Sequence, residues 1–413
     1  MKYSLGLAFF LILVSCGDKK NTREIEKIDF ETEYLFNAAI ENKIELDTTT
    51  DSHFTGFKYQ VGASDYATKG DYENALATWD LAMKTSVEDY TPSEIDSIND
   101  NFKKIKALDY IVEKSKLNQV VIINEAHHNS FHRVFTKSLL QKLYDNGYKN
   151  LGLEALGNGQ YEDSLLNRRK YPVQNTGFYI KDPQFGNLVR TALEIGYHVF
   201  PYEAISGADA SEREIEQAKN IQKVIESKPN EKFLIHCGFG HVLEGNYEAW
   251  GKTMAGRLTE FISIDPLTIN QVQFSEKSKP EYNHPLLKAL KIEEPTVLLD
   301  GQNNPYRYER GESWADIAVF HPTTDFSEGR PDWLFEDPNL RVPMILEDLD
   351  ISFPVMVLAF KKGEEIKEAI PIDIVEVQNK TDEFKLALKK SSYNIVSVNE
   401  KGEARKFELM VEL

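Results

Sequence analysis

Between residues 118 and 270 the chain repeats one pattern, a short apolar run followed by an amphipathic stretch with helical spacing, and this repeat narrows the fold more than any other feature. Residues 119–124 hold Val120, Val121, Ile122 and Ile123, β-branched side chains in a run too short for a helix, and they predict a buried strand. The next stretch, 131–146, sets Phe131, Phe135, Leu139 and Leu143 four residues apart on one helical face, and Gly147 ends it. A strand over 151–153, a helix over 185–195 closed by Gly196, and a strand over 197–202 follow. A helix over 212–226 then turns Ile215, Ala218, Ile221 and Ile225 inward, and 232–235 is the fourth strand. Strands that are apolar throughout, not alternately, are buried on both faces. The expected class is therefore α/β, a mainly parallel sheet with helices on both faces.

The flanks differ from this core. Residues 28–112 read as a helical segment, and the stretch from Ala67 through Gly70 and Tyr72 to Trp79 and Ala82 resembles part of one tetratricopeptide unit. No second copy follows at the 34-residue period, so a helical hairpin packed on the main domain is expected instead of a repeat array. The α/β core domain is expected over 113–335. Within it, Asp316 to Pro322 reads as a strand presenting His321, a lone histidine before proline of the kind that more often sits in a turn. From 340 to 413, alternating runs separated by polar turns predict a small antiparallel β-domain.

At the N-terminus Lys2 precedes an unbroken apolar run from Leu5 to Val14, then Ser15, Cys16 and Gly17. Ten apolar residues are half of the roughly 20 a spanning helix needs, and the charged start and small-residue end fit a signal peptide over 1–15. Leu13-Val14-Ser15-Cys16 resembles the bacterial lipobox, which implies acylation of Cys16, a lipid-anchored linker over 16–27, and a place in the cell envelope outside the cytoplasm. The membrane is then a partner through that lipid. Cys237 has no second cysteine to pair with, so the fold must rely on its core. A formal charge of −18 repels phosphate-rich polymers, and no nucleic-acid partner is expected.

Ligands of open parallel sheets bind beyond the carboxyl ends of the strands, and that is where the ionisable residues fall. The first strand ends in Glu125-Ala126-His127-His128, the second in Glu154, the third in Glu203, and the fourth in His236 with His241 close behind. Four equivalent positions occupied in this way indicate one shared site. Cys237 adjoins His236, but neighbours on a strand face opposite sides, and a buried structural thiol is expected.

The same residues carry a family resemblance. Asn124 to Asn129 with His132 resembles the first motif of the superfamily that joins erythromycin esterases, ChaN-like haem-binding lipoproteins and Tiki/TraB proteins, with Asn124 where the family has glycine. Gly152-Leu153-Glu154-Ala155 is similar to its second acidic motif. Arg213-Glu214 with Ala218 and Asn220 is similar to the arginine motif of the esterase branch, and Gly238 to Val242 with Gly245 to the closing histidine motif of the Tiki branch. The esterase spacing selects His128 and the ChaN-like spacing selects His127, and this chain satisfies both. The resemblance covers about 150 residues. It implies a hydrolase of ester or amide bonds acting on a small-molecule or peptide substrate through Glu125, His127 or His128, Glu154, Arg213 and His241. Glu125, His127, Glu154 and His241 could alternatively ligate a divalent metal, and a non-catalytic haem- or metal-binding lipoprotein is the competing expectation. The helical and β flanks would also suit an assembly scaffold.

Overall fold

The apolar runs become strands buried on both faces. The structure, a computed structural model, describes residues 23–47, 56–83, 89–207 and 209–412. The expected signal peptide over 1–15 and the expected acylation site Cys16 lie outside the described residues. Six strands, β1 (Val120–Glu125), β2 (Tyr148–Leu153), β3 (His198–Pro201), β4 (Lys232–Gly238), β5 (Leu267–Asn270) and β6 (Ile317–Ala318), form one sheet in the order β6-β5-β1-β4-β2-β3. Every pairing in it is parallel. The expected α/β class is the observed one.

Successive side chains of β1 divide between two cores. Val121 and Ile123 pack with helices α1 (Phe131–Asp145) and α2 (Pro183–Ile195), while Val120 and Ile122 pack with α3 (Ala210–Ser227) and α4 (Met254–Ile262). Phe131, Phe135, Leu139 and Leu143 are all buried, as their spacing requires. Burying each such side chain contributes about 1.5–3 kcal/mol, so the two-sided core dominates stability. Helix α2 starts at Asp182, whose carboxylate accepts from the Gln184 amide, with Pro183 in the first turn, and it ends at Gly196 with φ 116°, a conformation only glycine adopts at little cost.

The helical segment expected over 28–112 is interrupted. Lys103–Lys106 is a strand that pairs antiparallel with Thr296–Leu299 and keeps its lysines in water, as edge strands do. Helices Phe57–Thr68 and Tyr72–Ala82 form the hairpin, and Trp79 from its second arm lies against the loop after β1. The β-rich region also borrows from the N-terminus. Glu26–Ile28 pairs with Ala404–Lys406 at the edge of a five-stranded antiparallel sheet, and the Arg23 guanidinium stacks on Phe407 at 4.0 Å. The described end of the expected 16–27 linker is thus fixed to the β-domain, because a paired strand and a stacked cation outweigh its polar composition. Among the described residues no helix is long and apolar enough to cross a membrane.

Candidate active site

The staggered register of the sheet brings the polar strand ends together. Gly238 of β4 stands opposite Glu125 of β1, and His236 opposite Leu153 of β2, so Glu125, Glu154 and the turn after Gly238 share one edge. A cavity of about 300 Å³ opens there, lined by Glu125, His127, Glu154, Arg213 and His241 among others. Glu203 and His236 also reach it.

Two histidine–carboxylate pairs face this cavity. In the first, His127 Nδ1 lies 3.0 Å from Glu125 Oε1, and Nε2 makes no hydrogen bond among the described residues. Glu125 is buried and clamped by Arg133, whose Nε and Nη2 donate at 2.5 and 2.8 Å while Nη1 donates to Asp182 at 2.5 Å. Burial alone would raise the Glu125 pKa; the Arg133 guanidinium outweighs it and holds the carboxyl well below its usual range. An ionised Glu125 fixes the tautomer of His127 with the proton on Nδ1, which leaves Nε2 basic toward the cavity. Tyr179 stacks on the His127 ring at 3.7 Å and locks its plane.

In the second pair, His241 Nδ1 lies 2.7 Å from Glu214 Oε1. Its Nε2 sits between opposite neighbours, Glu154 Oε1 at 3.4 Å and Arg213 Nη1 at 3.1 Å. Burial and Arg213 favour the neutral ring, but Glu154 and Glu214 prevail and the His241 pKa is raised. Arg213 also donates to Glu154 at 2.7 Å and to Glu203 at 2.5 Å. Its helical neighbours Gln217 and Asn220 donate to Glu203 and to the Tyr202 carbonyl, so the face shared by 213, 217 and 220 closes on the end of β3. Glu154 accepts from the Gly238 amide, and despite burial its pKa is lowered by His241 and Arg213. A Cβ at Gly238 would stand 2.6 Å from His127 Cε1, so glycine is needed there to admit the imidazole.

The structure corrects part of the sequence reading. His128 does not reach the cavity; it turns the other way at the end of β1, is buried, and stacks under Trp79 at 3.9 Å. His321 is buried against Phe131 and Phe135 with Nε2 on Gln271, and burial pushes its pKa down to about 3. His132 Nδ1 accepts from the Ala126 amide and fixes the turn after β1. Asn124 donates to the Phe239 carbonyl and accepts from the Gln271 amide, tying three strand ends together. Cys237 is a free, buried thiol whose pKa burial raises well above its ordinary value.

The proposed metal quartet does not fit. Among the described residues no group of three or more His, Cys, Asp or Glu side chains is arranged to hold a metal ion. The reason is visible: both Glu125 oxygens and the near oxygen of Glu154 already face guanidinium nitrogens, and both nitrogens of His241 have neighbours. A cavity of about 300 Å³ lies at the lower end for small ligands and is too tight for a haem macrocycle.

Arg133 and Tyr179 escaped the sequence reading, and Glu214 was named there without a role. Arg133 lies on the flank of α1 opposite Phe131, where the helical pattern predicts solvent; only the packing of α2 buries it. Glu214 entered the sequence reading only as the neighbour of Arg213 in a motif, and its bond to His241 exists only once α3 packs on the turn after β4.

No known protein family's sequence profile matches this chain, and no curated protein does. Among solved structures it is similar to the type III effector HopBA1, at 13% identity and a TM-score of 0.36, over 54% of this chain and 98% of that one. It is also similar to RRSP, a MARTX toxin effector domain from Vibrio vulnificus CMCP6, at 15% identity and a TM-score of 0.28, over 50% of this chain and 44% of that one. Likeness this remote bears on neither reaction nor substrate.

Proposed function

We propose that this chain is a lipid-anchored hydrolase of ester or amide bonds, of the kind its resemblance to the erythromycin esterase and Tiki/TraB superfamily implies. The observation that carries the reading is that two histidines, each paired with a buried glutamate, line one cavity. His127 Nε2 takes a proton from a water as the water oxygen adds to the substrate carbonyl, a step that general-base catalysis accelerates about 10²–10⁴-fold. Arg213 and protonated His241 face the developing oxyanion, and such donors stabilise it without reorganising. The tetrahedral adduct then expels the alcohol or amine, which takes a proton from His241; His127 returns its proton to that ring through solvent. One water is consumed, and acid plus alcohol or amine are released. Glu125 and Glu214 touch no substrate and act as positioning residues.

Acyl chains on Cys16, each contributing roughly 0.8 kcal/mol per buried CH₂, would hold this site near a bilayer. The test is turnover of a panel of aryl esters and aminoacyl anilides by the purified chain. Hydrolysis lost in His127→Ala with the fold intact is the expected result. A folded protein that turns over none of them overturns this reading.

A further inference from the structure

A second cavity, sharing no residue with the first, lies where helices α1 and α2 meet the β-domain, and its volume is about 130 Å³. Lys137 of α1, Arg190 of α2, and Lys361, Lys389 and Lys390 of the β-domain line it, against a single carboxylate, Glu194. Two of these cations are satisfied locally. Arg190 is buried and paired with Glu364 at 2.5 Å, and Lys361 lies 2.7 Å from Glu194. Lys137, Lys389 and Lys390 have no ion pair or side-chain hydrogen bond among the described residues. Arg190 Nη1 is likewise a buried donor without an acceptor, and Arg190 is 4% exposed.

Scarcity of carboxylates does not explain this. The chain has 66 acidic against 48 basic side chains, and most of its described lysines in ion pairs find a partner on the surface. Lys389 and Lys390 are exposed and Lys137 is half-buried, so gathering these unpaired cations around one cavity costs free energy mainly through mutual repulsion. Lys137 registers that cost, since burial and then Lys389 push its pKa down to about 8 against the weaker opposing pull of Glu336.

We infer that this cavity binds a phosphate group, held by Lys137, Lys389 and Lys390 with the guanidinium of Arg190 behind them. A carboxylate offers one charge and two oxygens. A phosphate offers close to two charges and at least three acceptor oxygens, which better match three ammonium groups and the free Nη1 of Arg190 in a space this small. The site joins two parts of the chain, so an occupant ties the β-domain to α1 and α2. Those helices also carry Arg133 and start from Asp182, the clamp behind Glu125.

The experiment is calorimetric titration of the full mature chain with inorganic phosphate, against sodium chloride at matched ionic strength. One saturable site is expected, with chloride inert. Lys137→Met and the double variant Lys389→Ala/Lys390→Ala should each weaken it about tenfold or more, and the exposed double variant guards against a failure of Lys137→Met to fold. Arg213→Met should bind as well as the parent, since it belongs to the other cavity. Vesicles containing phosphatidic acid, compared with phosphatidylcholine alone, separate the two sources of the group: retention that depends on Lys137 marks a lipid headgroup, and binding of soluble phosphate without such retention marks a free phosphate compound. No saturable binding at millimolar phosphate, or binding that survives both lysine variants, overturns the inference.

Discussion

The two cavities handle buried charge in opposite ways. At the sheet edge each arginine serves two carboxylates: Arg133 holds Glu125 and Asp182, and Arg213 holds Glu154 and Glu203. At the domain junction three lysines make no ion pair among the described residues, and only the more distant Glu336 acts on Lys137. A closed network spends its charges on holding side chains in place, which is what proton transfer needs. An open cluster keeps its charges for something that arrives from outside. Neutralised charge therefore indicates positioning, and unneutralised charge indicates binding.

The strongest way to break the contrast is Arg133→Met, which strands Glu125 and Asp182 in the core. A loss of about 3–5 kcal/mol in denaturant unfolding is expected, enough to unfold a marginal protein, and an unchanged midpoint would mean the clamp is not structural.

Next come the two histidines. His127→Ala and His241→Gln should each lower kcat about 10²–10⁴-fold while leaving circular dichroism unchanged. Their double variant should be little worse than the poorer single one, because both act on one step. Losses that multiply in steady-state assays would place them in separate events.

Glu214→Gln sharpens the same comparison through pH. Glu214 raises the His241 pKa, so the protonated ring stabilises the fold fully below about 6.5, and that contribution disappears as pH rises through the raised folded value. Removing the carboxylate should move the alkaline limb of kcat to lower pH, though Glu154 continues to raise the ring's pKa, and the stability deficit of the variant should be largest at acid pH. A pH–rate profile whose alkaline limb stays put would deny His241 the role of acid.

The smallest effect is expected at the open cluster. Lys389→Ala, with no phosphate present, should change stability by less than about 0.5 kcal/mol, since it removes a repulsion and no bond. It should let Lys137 titrate closer to an ordinary lysine, readable from its ¹⁵N or ¹³C shift. An unmoved Lys137 would mean that the two ammonium groups do not share a cavity.

How much was legible varied with the range of the interaction. The β1 run and the four-residue spacing of α1 are local patterns, and both elements formed close to where they were expected. Glu125, Glu154 and His241 were found because strand ends in a parallel sheet converge whatever the loops do, and Arg213 through the motif it resembles. The choice between His127 and His128 was not legible, because one residue at a strand terminus turns on how the Trp79 hairpin packs over it. Arg133 was hidden for a related reason: a second helix buries a flank that periodicity assigns to water. The strands at 26–28 and 103–106 were missed because their partners lie hundreds of residues away, at 404–406 and 296–299.

By itself, then, the sequence determined the layered sheet and the edge on which its ionisable residues gather, since both follow from side-chain periodicity along single elements. Tertiary structure alone decided which charges are neutralised. Arg133 reaches Asp182, Glu214 reaches His241, and Lys137 meets Lys389 only once separate elements are packed, and the state of a buried charge depends on those neighbours, not on its place in the chain.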